Sequence, residues 1–526
     1  MTSPASSLRS LFARGSTTKE ATLIAAVSLI PALLYLPFVN EPLFGDEAVY
    51  STVALGLLDG QLPYRDLFDN KPPLLYGWFA LSFLLFGEEA YAPRLIVAAA
   101  LSGTAALVHA QARLLFSRGL AFAASGAFAA LTAATVLTAN ATSEILMVLP
   151  MTASLVAFTL AIRSGSGRWM LAAGLLSGVA LMTKPVALWP GIALGLFALA
   201  SVWRTHATLP QRLAPALIFA AGAALASLLV LLPVVLSGTF GDFYDATVRF
   251  PVQYRDELTN EDRLTRFLME SFVRMPLFAG PLTFAALAGL AVALRRRAWP
   301  DDQLLLFWGA GCAFGVASPG FFFPHYFVQL FPAMALLTAV ALRSGVVVPR
   351  PTRAPAANLA IVLIGGASLA SAIGLNGDAY TTTDGDQQHI ERGLYGSRVL
   401  RENDSAELAA YLNARMAPGD TIYVHGPETA IYFYSGRQPT VRYFYSTPIR
   451  VRRDLGVFDE IVAQLEASKP TYIVDGFVVT PADDWNLSYV ANGTINLHPP
   501  DFVALLERDY EFVDHVFFAN VYRLKR

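Results

Sequence analysis

Long apolar runs separated by short polar segments make up most of the first 375 residues of the chain. Each run approaches the ~20 apolar residues that an α-helix needs to cross about 30 Å of hydrocarbon. The pattern therefore predicts a polytopic α-helical membrane protein with about eleven or more transmembrane helices. The candidate spans are 21–39, 94–116, 119–138, 144–162, 169–183, 186–203, 213–236, 276–294, 303–318, 325–343 and 357–375.

Basic residues between these runs predict the orientation of the spans. If the N-terminus is cytoplasmic, arginines fall in every cytoplasmic loop, as the positive-inside rule requires. Acids enter only one of those loops, at Asp301 and Asp302. We therefore predict a multi-pass protein of the plasma or inner membrane with a cytoplasmic N-terminus. Its two large extracytoplasmic loops would be 40–93 and 237–275.

Both outer loops carry helical patterns of their own. In the first loop, Val49, Val53 and Leu57 recur at the spacing of one helix face. Residues 74–86 are apolar but too few to span a bilayer, so we expect them to lie in the membrane interface. In the second loop, residues 263–275 alternate an apolar and a charged face. Both loops are therefore expected to be structured.

The chain changes character near residue 375, where charged residues become frequent and the apolar runs become short. Alternating helix and strand patterns over ~150 residues predict a small α/β domain. We expect a transmembrane domain over 1–375 and a soluble extracytoplasmic domain over 376–526. Tyrosines and arginines cluster between residues 432 and 453, where they would bind anionic head groups or sugars, or form a solvated face. The predicted elements of this domain are a helix over 405–416 and strands over 420–425, 471–475, 511–515 and 517–523.

Composition agrees with a membrane protein and excludes other classes. The chain has 526 residues, of which 55% are hydrophobic and 15% are charged, against ~25% charged residues in soluble domains. A net charge of −2 argues against a nucleic-acid partner. The single cysteine, Cys312, excludes an internal disulfide. No pair of histidines has the spacing of metal ligands, so the sequence predicts no intrinsic metal site. A divalent cation shared by Asp46, Glu47 and a phosphate is the alternative that the sequence allows.

Two adjacent acids, Asp46 and Glu47, open the first outer loop at the start of a predicted helix. Aspartate is a favoured helix cap, and acids suit the positive end of the helix dipole. A cap also holds its carboxylate in a fixed position, as a general base requires. Tyr50 follows one turn later on the same face, where it can hydrogen-bond Asp46 or a ligand.

The first outer loop contains a single lysine, Lys71, followed by two prolines. The prolines stiffen the backbone and disfavour a helical conformation at residue 71. A rigidly held lysine at head-group depth suits a phosphate, although contact with ordinary lipid head groups has the same requirements. Arg65 and Asp66 precede it in the same loop.

Further polar candidates stand at the outer ends of later spans. Glu144 begins a membrane helix, where an acid is costly unless it is paired or wet, so it either caps that helix or lines an external cavity. Lys184 is a single cation between two predicted spans on the outer side, where its charge is likewise costly unless it is paired or wet. His325 and Tyr326 follow an aromatic turn, where they either contact a sugar or phosphate or belong to the aromatic belt.

Several short segments form a characteristic series. The specific ones are Gly45-Asp46-Glu47-Ala48-Val49-Tyr50, Gly60-Gln61-Leu62-Pro63-Tyr64-Arg65-Asp66, Asn70-Lys71-Pro72-Pro73-Leu74-Leu75-Tyr76 and Ala92-Pro93-Arg94-Leu95. The supporting ones are Gly174-Leu175-Leu176-Ser177-Gly178, Thr183-Lys184-Pro185, and His325-Tyr326 with Pro332. Together these segments resemble the family-39-type C-fold (GT-C) membrane glycosyltransferases, which include the protein O-mannosyltransferases and the lipid A aminoarabinose transferase. The resemblance covers most of residues 21–345.

The resemblance implies an inverting transfer of a sugar from a polyprenyl-phosphate donor to an acceptor hydroxyl on a lipid, glycan or protein at the outer face of the membrane. It implies that Asp46 is the general base, with Glu47 in support. Lys71 would bind the donor phosphate, with Lys184 as a second phosphate ligand. The implied substrate contacts are Tyr50, Arg65, Asp66, Glu144, His325 and Tyr326.

Two functions of other classes remain as alternatives: a transporter or flippase of lipid-linked sugars, and a non-catalytic subunit of envelope assembly. A transporter predicts ionisable residues near the middle of its spans. In this sequence they fall at span ends and in outer loops, which favours the transferase.

Overall fold

A computed structural model describes most of the chain, and its described residues form two compact units. One, called here the helical unit, comprises the described residues within Met1–Val39, Leu95–Leu231 and Leu258–Tyr380. The other, called the mixed unit, comprises those within Asn40–Arg94, Leu232–Glu257 and Thr381–Arg526. The described residues are 18–133, 140–202, 208–345, 366, 404–476, 498–517 and 519–526. The expected domain boundary near residue 375 lies outside them.

The described residues up to 345 are almost entirely helical. Its α-helices are Thr18–Tyr35, Gly45–Leu58, Pro73–Phe86, Ala92–Leu115, Arg118–Ala133, Ser143–Ser164, Gly167–Thr183, Leu188–Val202, Leu209–Leu236, Phe240–Tyr244, Phe250–Arg255, Asn260–Leu268, Met275–Ala279, Pro281–Arg296, Asp301–Ala317 and Phe331–Ser344. Shorter 3-10 segments are Leu36–Phe38, Pro185–Ala187 and Pro324–Leu330, and π-helical turns occupy Asp245–Arg249 and Met269–Arg274.

Several of these helices are long and apolar enough to cross a membrane, so the chain is a multi-pass helical protein. Within the described residues five helices meet this criterion by length and composition: Thr18–Tyr35, Ala92–Leu115, Ser143–Ser164, Leu209–Leu236 and Pro324–Ser344. Shorter apolar helices include Gly167–Thr183, which ends where Lys184-Pro185 was expected to separate two spans. The expected span at 357–375 lies, apart from Gly366, outside the described residues, and the total of about eleven stays a prediction.

The mixed unit combines a four-stranded sheet with short helices. The strands are β1 Ile422–His425, β2 Tyr472–Asp475, β3 Tyr510–Val516 and β4 Ala519–Leu524. The parallel strands β1 and β2 are joined by antiparallel pairing to the β3–β4 hairpin, in the order β1-β2-β4-β3. All four strands and the preceding helix fall where the sequence predicts them. The helices after residue 403 are Asp404–Asn413, Ala430–Ser435, Ser446–Val451, Val457–Ser468 and Pro500–Asp509, with a 3-10 turn at Arg453–Leu455.

A buried ion pair fixes the start of the Gly45–Leu58 helix. Both carboxylate oxygens of Glu47 accept hydrogen bonds from Arg94, at 3.0 and 2.8 Å. Neither side chain has any solvent exposure. The same guanidinium donates to the backbone carbonyls of Glu41 and Pro42. The pair therefore holds the first turn of the helix and the segment that leads into it.

Arginines of the C-terminal segment form a second set of internal ion pairs in the mixed unit. Arg442 lies 3.2 Å from Asp242, Arg450 3.0 Å from Glu257, and Arg452 2.6 Å from Asp245. These acids belong to the segment after the Leu209–Leu236 helix. The sequence suggested that these arginines bind head groups or sugars or form a solvated face. The structure instead pairs all three with acids of the same unit. They bind a distant part of the same unit.

The only acids expected in a cytoplasmic loop join several such loops in the helical unit. Asp302 is fully buried and lies 3.1 Å from both Arg296 and Arg343. Asp301 lies 3.1 Å from Arg163. Three loops assigned to one side by the charge pattern are thus in contact with each other. This agrees with a shared side for the three loops.

Two helices of the helical unit approach each other through glycine. A Cβ atom at Gly174 would lie 2.0 Å from the carbonyl oxygen of Phe219, and one at Gly178 would lie 2.4 Å from that of Ala223. Real side chains do not occupy such positions, and the obstructing atoms are backbone. Small residues four apart are the usual means by which membrane helices pack backbone against backbone.

We expect Gly178→Leu to destabilise the protein by about 1–3 kcal/mol or more, because the added side chain overpacks a contact that backbone atoms form. Gly195→Leu is the matched control, since a Cβ atom there meets nothing within 4 Å. Thermal unfolding of both variants in detergent measures the difference. Equal melting temperatures would contradict the close helix packing.

The buried ion pair generates a second prediction. Glu47→Gln is expected to cost about 3–5 kcal/mol of stability, because it leaves the charge of Arg94 buried without its counter-charge. The neighbouring Asp46→Asn removes an exposed carboxylate and should change the melting temperature little. Each variant replaces one carboxylate by an amide, and thermal unfolding of the two variants measures the difference in stability. A similar loss in both would show that the adjacent acids do not have separate roles.

Candidate functional site

Asp46 stands at the exposed start of the Gly45–Leu58 helix. Phe44 occupies the N-cap position, so Asp46 is not the cap and lies in the first turn, near the positive end of the helix dipole. The Tyr50 hydroxyl donates a hydrogen bond of 2.8 Å to its Oδ2 atom. Tyr50 is buried, so its own position is fixed by packing. The contact predicted from their helical spacing is therefore confirmed.

Lys71 is held close to the same tyrosine. Its ammonium group lies 5.4 Å from the centroid of the Tyr50 ring, the distance of a cation–π contact. It also donates to the side-chain oxygen of Asn70. The Lys71 carbonyl accepts hydrogen bonds from Tyr64, at 2.8 Å, and Tyr76, at 3.2 Å. Tyr50 thus carries a carboxylate at its hydroxyl and an ammonium group over its ring.

A buried carboxylate supports the turn that contains Lys71. Asp69 is only 2% exposed and accepts hydrogen bonds from Tyr76, at 2.8 Å, and Tyr445, at 2.9 Å. Burial raises the pKa of Tyr445 well above its usual value, and the charge of Asp69 raises it further. Tyr445 therefore stays a neutral donor. Asp69 lies inside the Lys71 motif but was not among the residues that the sequence singled out, whereas Tyr445 belongs to the cluster of tyrosines and arginines between residues 432 and 453.

Tyr254, which the sequence did not single out, feels the charge of Asp46, and Arg450 of the 432–453 cluster contacts Tyr254. Burial raises the pKa of Tyr254, Arg450 and Lys71 act to lower it, and Asp46 and Glu257 act to raise it. Arg450 also hydrogen-bonds Tyr254 and forms its ion pair with Glu257. Tyr254 therefore lies within reach of the charges of Asp46, Lys71, Arg450 and Glu257. We call Asp46, Tyr50, Lys71, Tyr254 and Tyr445 the Asp46 cluster.

Arg65 and Asp66 form an ion pair of 2.8 Å beside this cluster in the chain. The Arg65 guanidinium holds the pKa of Asp66 below its usual range. Asp66 also accepts a hydrogen bond of 2.7 Å from the backbone N–H of Leu62. Asp66 therefore closes the turn before the Lys71 motif, while Arg65 is exposed.

The other candidates meet in the helical unit and form what we call the Glu144 cluster: Glu144, Lys184, His325 and Tyr326. Lys184 and Glu144 form an ion pair, and both are nearly fully buried. The Nε2 atom of His325 lies 3.6 Å from the Glu144 carboxylate, and the Lys184 ammonium lies 4.6 Å from the centroid of the Tyr326 ring. Three separate segments thus supply one polar cluster. Thr142 occupies the N-cap position of this helix, so Glu144 lies in the first turn and is not the cap. A buried charge is costly in a membrane protein unless it is paired, and Lys184 pairs with Glu144.

The geometry gives Glu47 a different environment from Asp46. Both of its oxygens bind Arg94 inside the protein, whereas Asp46 is exposed. A cation shared by these two carboxylates does not fit this arrangement, because Glu47 would have to leave its buried partner. Asp46 alone of the pair can meet a ligand directly.

Comparison with known families gives a match over residues 70–236. The matching family is described as dolichyl-phosphate-mannose-protein mannosyltransferase. The matched range begins at the Asn70-Lys71 segment of the first loop and includes Glu144 and Lys184. No curated protein sequence matches the chain significantly.

Solved structures with a similar fold include two membrane glycosyltransferases. ArnT from Cupriavidus metallidurans, bound to undecaprenyl phosphate, has a TM-score of 0.62 and 17% identity, over 96% of this chain and 98% of that one. The oligosaccharyltransferase AglB from Archaeoglobus fulgidus, in complex with an inhibitory peptide and a dolichol-phosphate, has a TM-score of 0.53 and 12% identity, over 97% of this chain and 75% of that one. At such identities the likeness concerns the fold. The family match and the fold together confirm that this chain is similar to the C-fold membrane glycosyltransferases of the family-39 type.

Proposed function

We propose that the chain transfers a sugar from a polyprenyl-phosphate donor to an acceptor hydroxyl at the outer face of the membrane, with inversion. The observation that carries the proposal is the double contact of Tyr50, whose hydroxyl binds Asp46 and whose ring lies under Lys71. One buried side chain thereby holds a candidate base and a candidate phosphate ligand together. The donor class is supported by the similar folds, since ArnT binds undecaprenyl phosphate and AglB was solved with a dolichol-phosphate.

Asp46 is assigned as the general base. The acceptor oxygen attacks the anomeric carbon while its proton passes to the Asp46 carboxylate. The bond between the anomeric carbon and the phosphate oxygen breaks, and its electron pair leaves with the polyprenyl phosphate. A single displacement of this kind inverts the configuration. Positioned general bases contribute roughly 10²–10⁴-fold to rate, and the exposed carboxylate held by Tyr50 meets that requirement.

Lys71 is assigned to the donor phosphate. Negative charge grows on that phosphate as the sugar leaves, and a cation already in place stabilises it without reorganisation. The backbone at Lys71 is fixed by Tyr64, Tyr76 and the two following prolines. Asp69, through its hydrogen bonds to Tyr76 and Tyr445, is a positioning residue for the same turn. Glu47 is likewise a positioning residue, because it acts through Arg94 on the helix that carries Asp46.

The Glu144 cluster is proposed as a further substrate contact in the helical unit. Glu144 holds Lys184 and lies close to His325, so the cluster presents a cation and an imidazole whose positions are set by one buried carboxylate. Lys184 would bind phosphate, and His325 and Tyr326 would contact phosphate or sugar. In the first loop, exposed Arg65 is the member of the Arg65–Asp66 pair that offers charge to a substrate.

Asp46→Asn is expected to lower the turnover rate by about 10²–10⁴-fold, because the amide cannot accept the acceptor proton. Binding of undecaprenyl phosphate should be unchanged. The matched control is Asp59→Asn at the opposite end of the same helix. Turnover is measured as release of undecaprenyl phosphate from a panel of undecaprenyl-phosphate hexoses and pentoses, added with an envelope lipid and glycan extract as acceptor to the purified protein in liposomes. Wild-type turnover in Asp46→Asn would refute the assignment of the base.

Lys71→Ala is expected to weaken the binding of undecaprenyl phosphate at least tenfold and to lower turnover, because the same charge contacts the ground state and the leaving group. Lys525→Ala, near the end of the chain, is the control for loss of one lysine. Equilibrium binding of undecaprenyl phosphate and the turnover assay supply the two readouts. Unchanged phosphate binding with unchanged turnover would remove Lys71 from the site.

A further inference from the structure

A cluster of potential metal ligands lies at the carboxyl ends of the two parallel strands of the mixed unit. His425 ends β1 and Asp475 ends β2, and the two are paired in register. His498, just before the Pro500–Asp509 helix, places its Nε2 atom 2.9 Å from Oδ2 of Asp475. One potential ligand atom from each residue lies within 4.8 Å of the other two. Three residues distant in sequence thus converge on one point.

These ligands are largely withdrawn from water. His425 is fully buried and Asp475 is 3% exposed. A buried carboxylate is costly unless a cation or hydrogen-bond donors compensate its charge. The side chain of His498 is 31% exposed, so one side of the cluster is open to solvent. A water molecule can therefore reach a metal ion held by the three residues.

The surroundings of His425 match those of a metal-binding imidazole. Its Nδ1 atom lies 3.1 Å from the hydroxyl of Tyr423, two residues earlier on the same strand. The hydroxyl oxygen can accept a hydrogen bond from Nδ1–H, which would leave Nε2 of His425 for the metal. Metal-bound histidines usually engage such a partner through the nitrogen that does not bind the metal. Phe502 packs 4.4 Å from the imidazole centroid and makes the surroundings apolar.

We propose that His425, Asp475 and His498 bind one zinc ion, with a water molecule as the fourth ligand. Two imidazoles and one carboxylate suit zinc, whereas magnesium and calcium prefer sites made of oxygen ligands. Ligand atoms at about 2.0–2.2 Å from zinc in a tetrahedron lie about 3.4 Å apart. The two atoms 2.9 Å apart would separate by about 0.5 Å, and the other separations, all within 4.8 Å, would close by at most about 1.4 Å to surround the ion.

The ion would join the ends of β1 and β2 to the chain segment that begins the last helix. Zinc binding at this site does not depend on the proposed transfer reaction. A purely hydrogen-bonded arrangement, with Asp475 accepting from His498, is the alternative explanation of the same geometry. The two differ in whether added zinc binds and stabilises the protein.

The test uses the full-length protein in detergent, with its affinity tag removed and its metals stripped by a chelator. Zinc chloride is titrated, the bound metal is counted by mass spectrometry, and thermal unfolding is followed with and without zinc. We expect one zinc per chain and a higher melting temperature when zinc is bound, since a ligand specific to the folded state stabilises it. Cobalt chloride should give the visible absorption of a tetrahedral site.

His498→Ala is the deciding variant, because the side chain of His498 is partly exposed and can be removed with little effect on packing. It should abolish stoichiometric zinc binding and the zinc-dependent rise in melting temperature. His515→Ala, which removes an exposed histidine of the same sheet, should bind zinc as the wild type does. Tyr423→Phe should weaken zinc binding about 10–100-fold through loss of the partner of His425.

Absence of bound zinc in the wild type would overturn the proposal and leave the hydrogen-bonded arrangement. Equal zinc binding in wild type, His498→Ala and His515→Ala would also overturn it, because the ion would then be held elsewhere.

Discussion

The buried pair of Glu47 and Arg94 is the constraint on which the Asp46 cluster depends. A charge pair removed from water is stable only when its geometry satisfies both groups, and here both carboxylate oxygens accept from the guanidinium. Successive residues of an α-helix point about 100° apart. Because Glu47 must face the interior, Asp46 is turned toward the exposed side of the helix start. A structural ion pair thereby orients the neighbouring carboxylate outward, as its proposed role as a base requires.

Tyrosine hydroxyls perform most of the remaining positioning in the mixed unit. Tyr50 binds the Asp46 carboxylate, Tyr64 binds the Lys71 carbonyl, and Tyr445 binds Asp69. Burial raises the pKa of Tyr64 and Tyr445, so they remain neutral donors beside carboxylates. Their rings fill the core at the same time. A rigid turn is thus built from residues that combine apolar packing with one directed hydrogen bond.

Local patterns in the sequence predicted much of this arrangement. The spacing of Asp46 and Tyr50 on one helix face predicted their hydrogen bond, because residues four apart on a helix are neighbours. Alternating patterns likewise located the strands near the C-terminus. The arginines near residues 442–452 had two interpretations, and their actual partners, such as Asp245, lie about 200 residues away in sequence. No local pattern carries that information, since only the folded chain determines which charges meet.

The sequence alone determined that this is a membrane chain of helical spans with an α/β segment at its end. It also singled out Asp46, Lys71 and the residues of the Glu144 cluster as candidate site residues, because these positions follow from hydropathy, helix spacing and loop motifs. Only the tertiary structure separated Asp46 from Glu47, joined Asp69 to Tyr445 and brought His425, Asp475 and His498 together. The physical reason is that burial and long-range charge pairing belong to the packed state. They depend on neighbours that adjacent residues cannot specify.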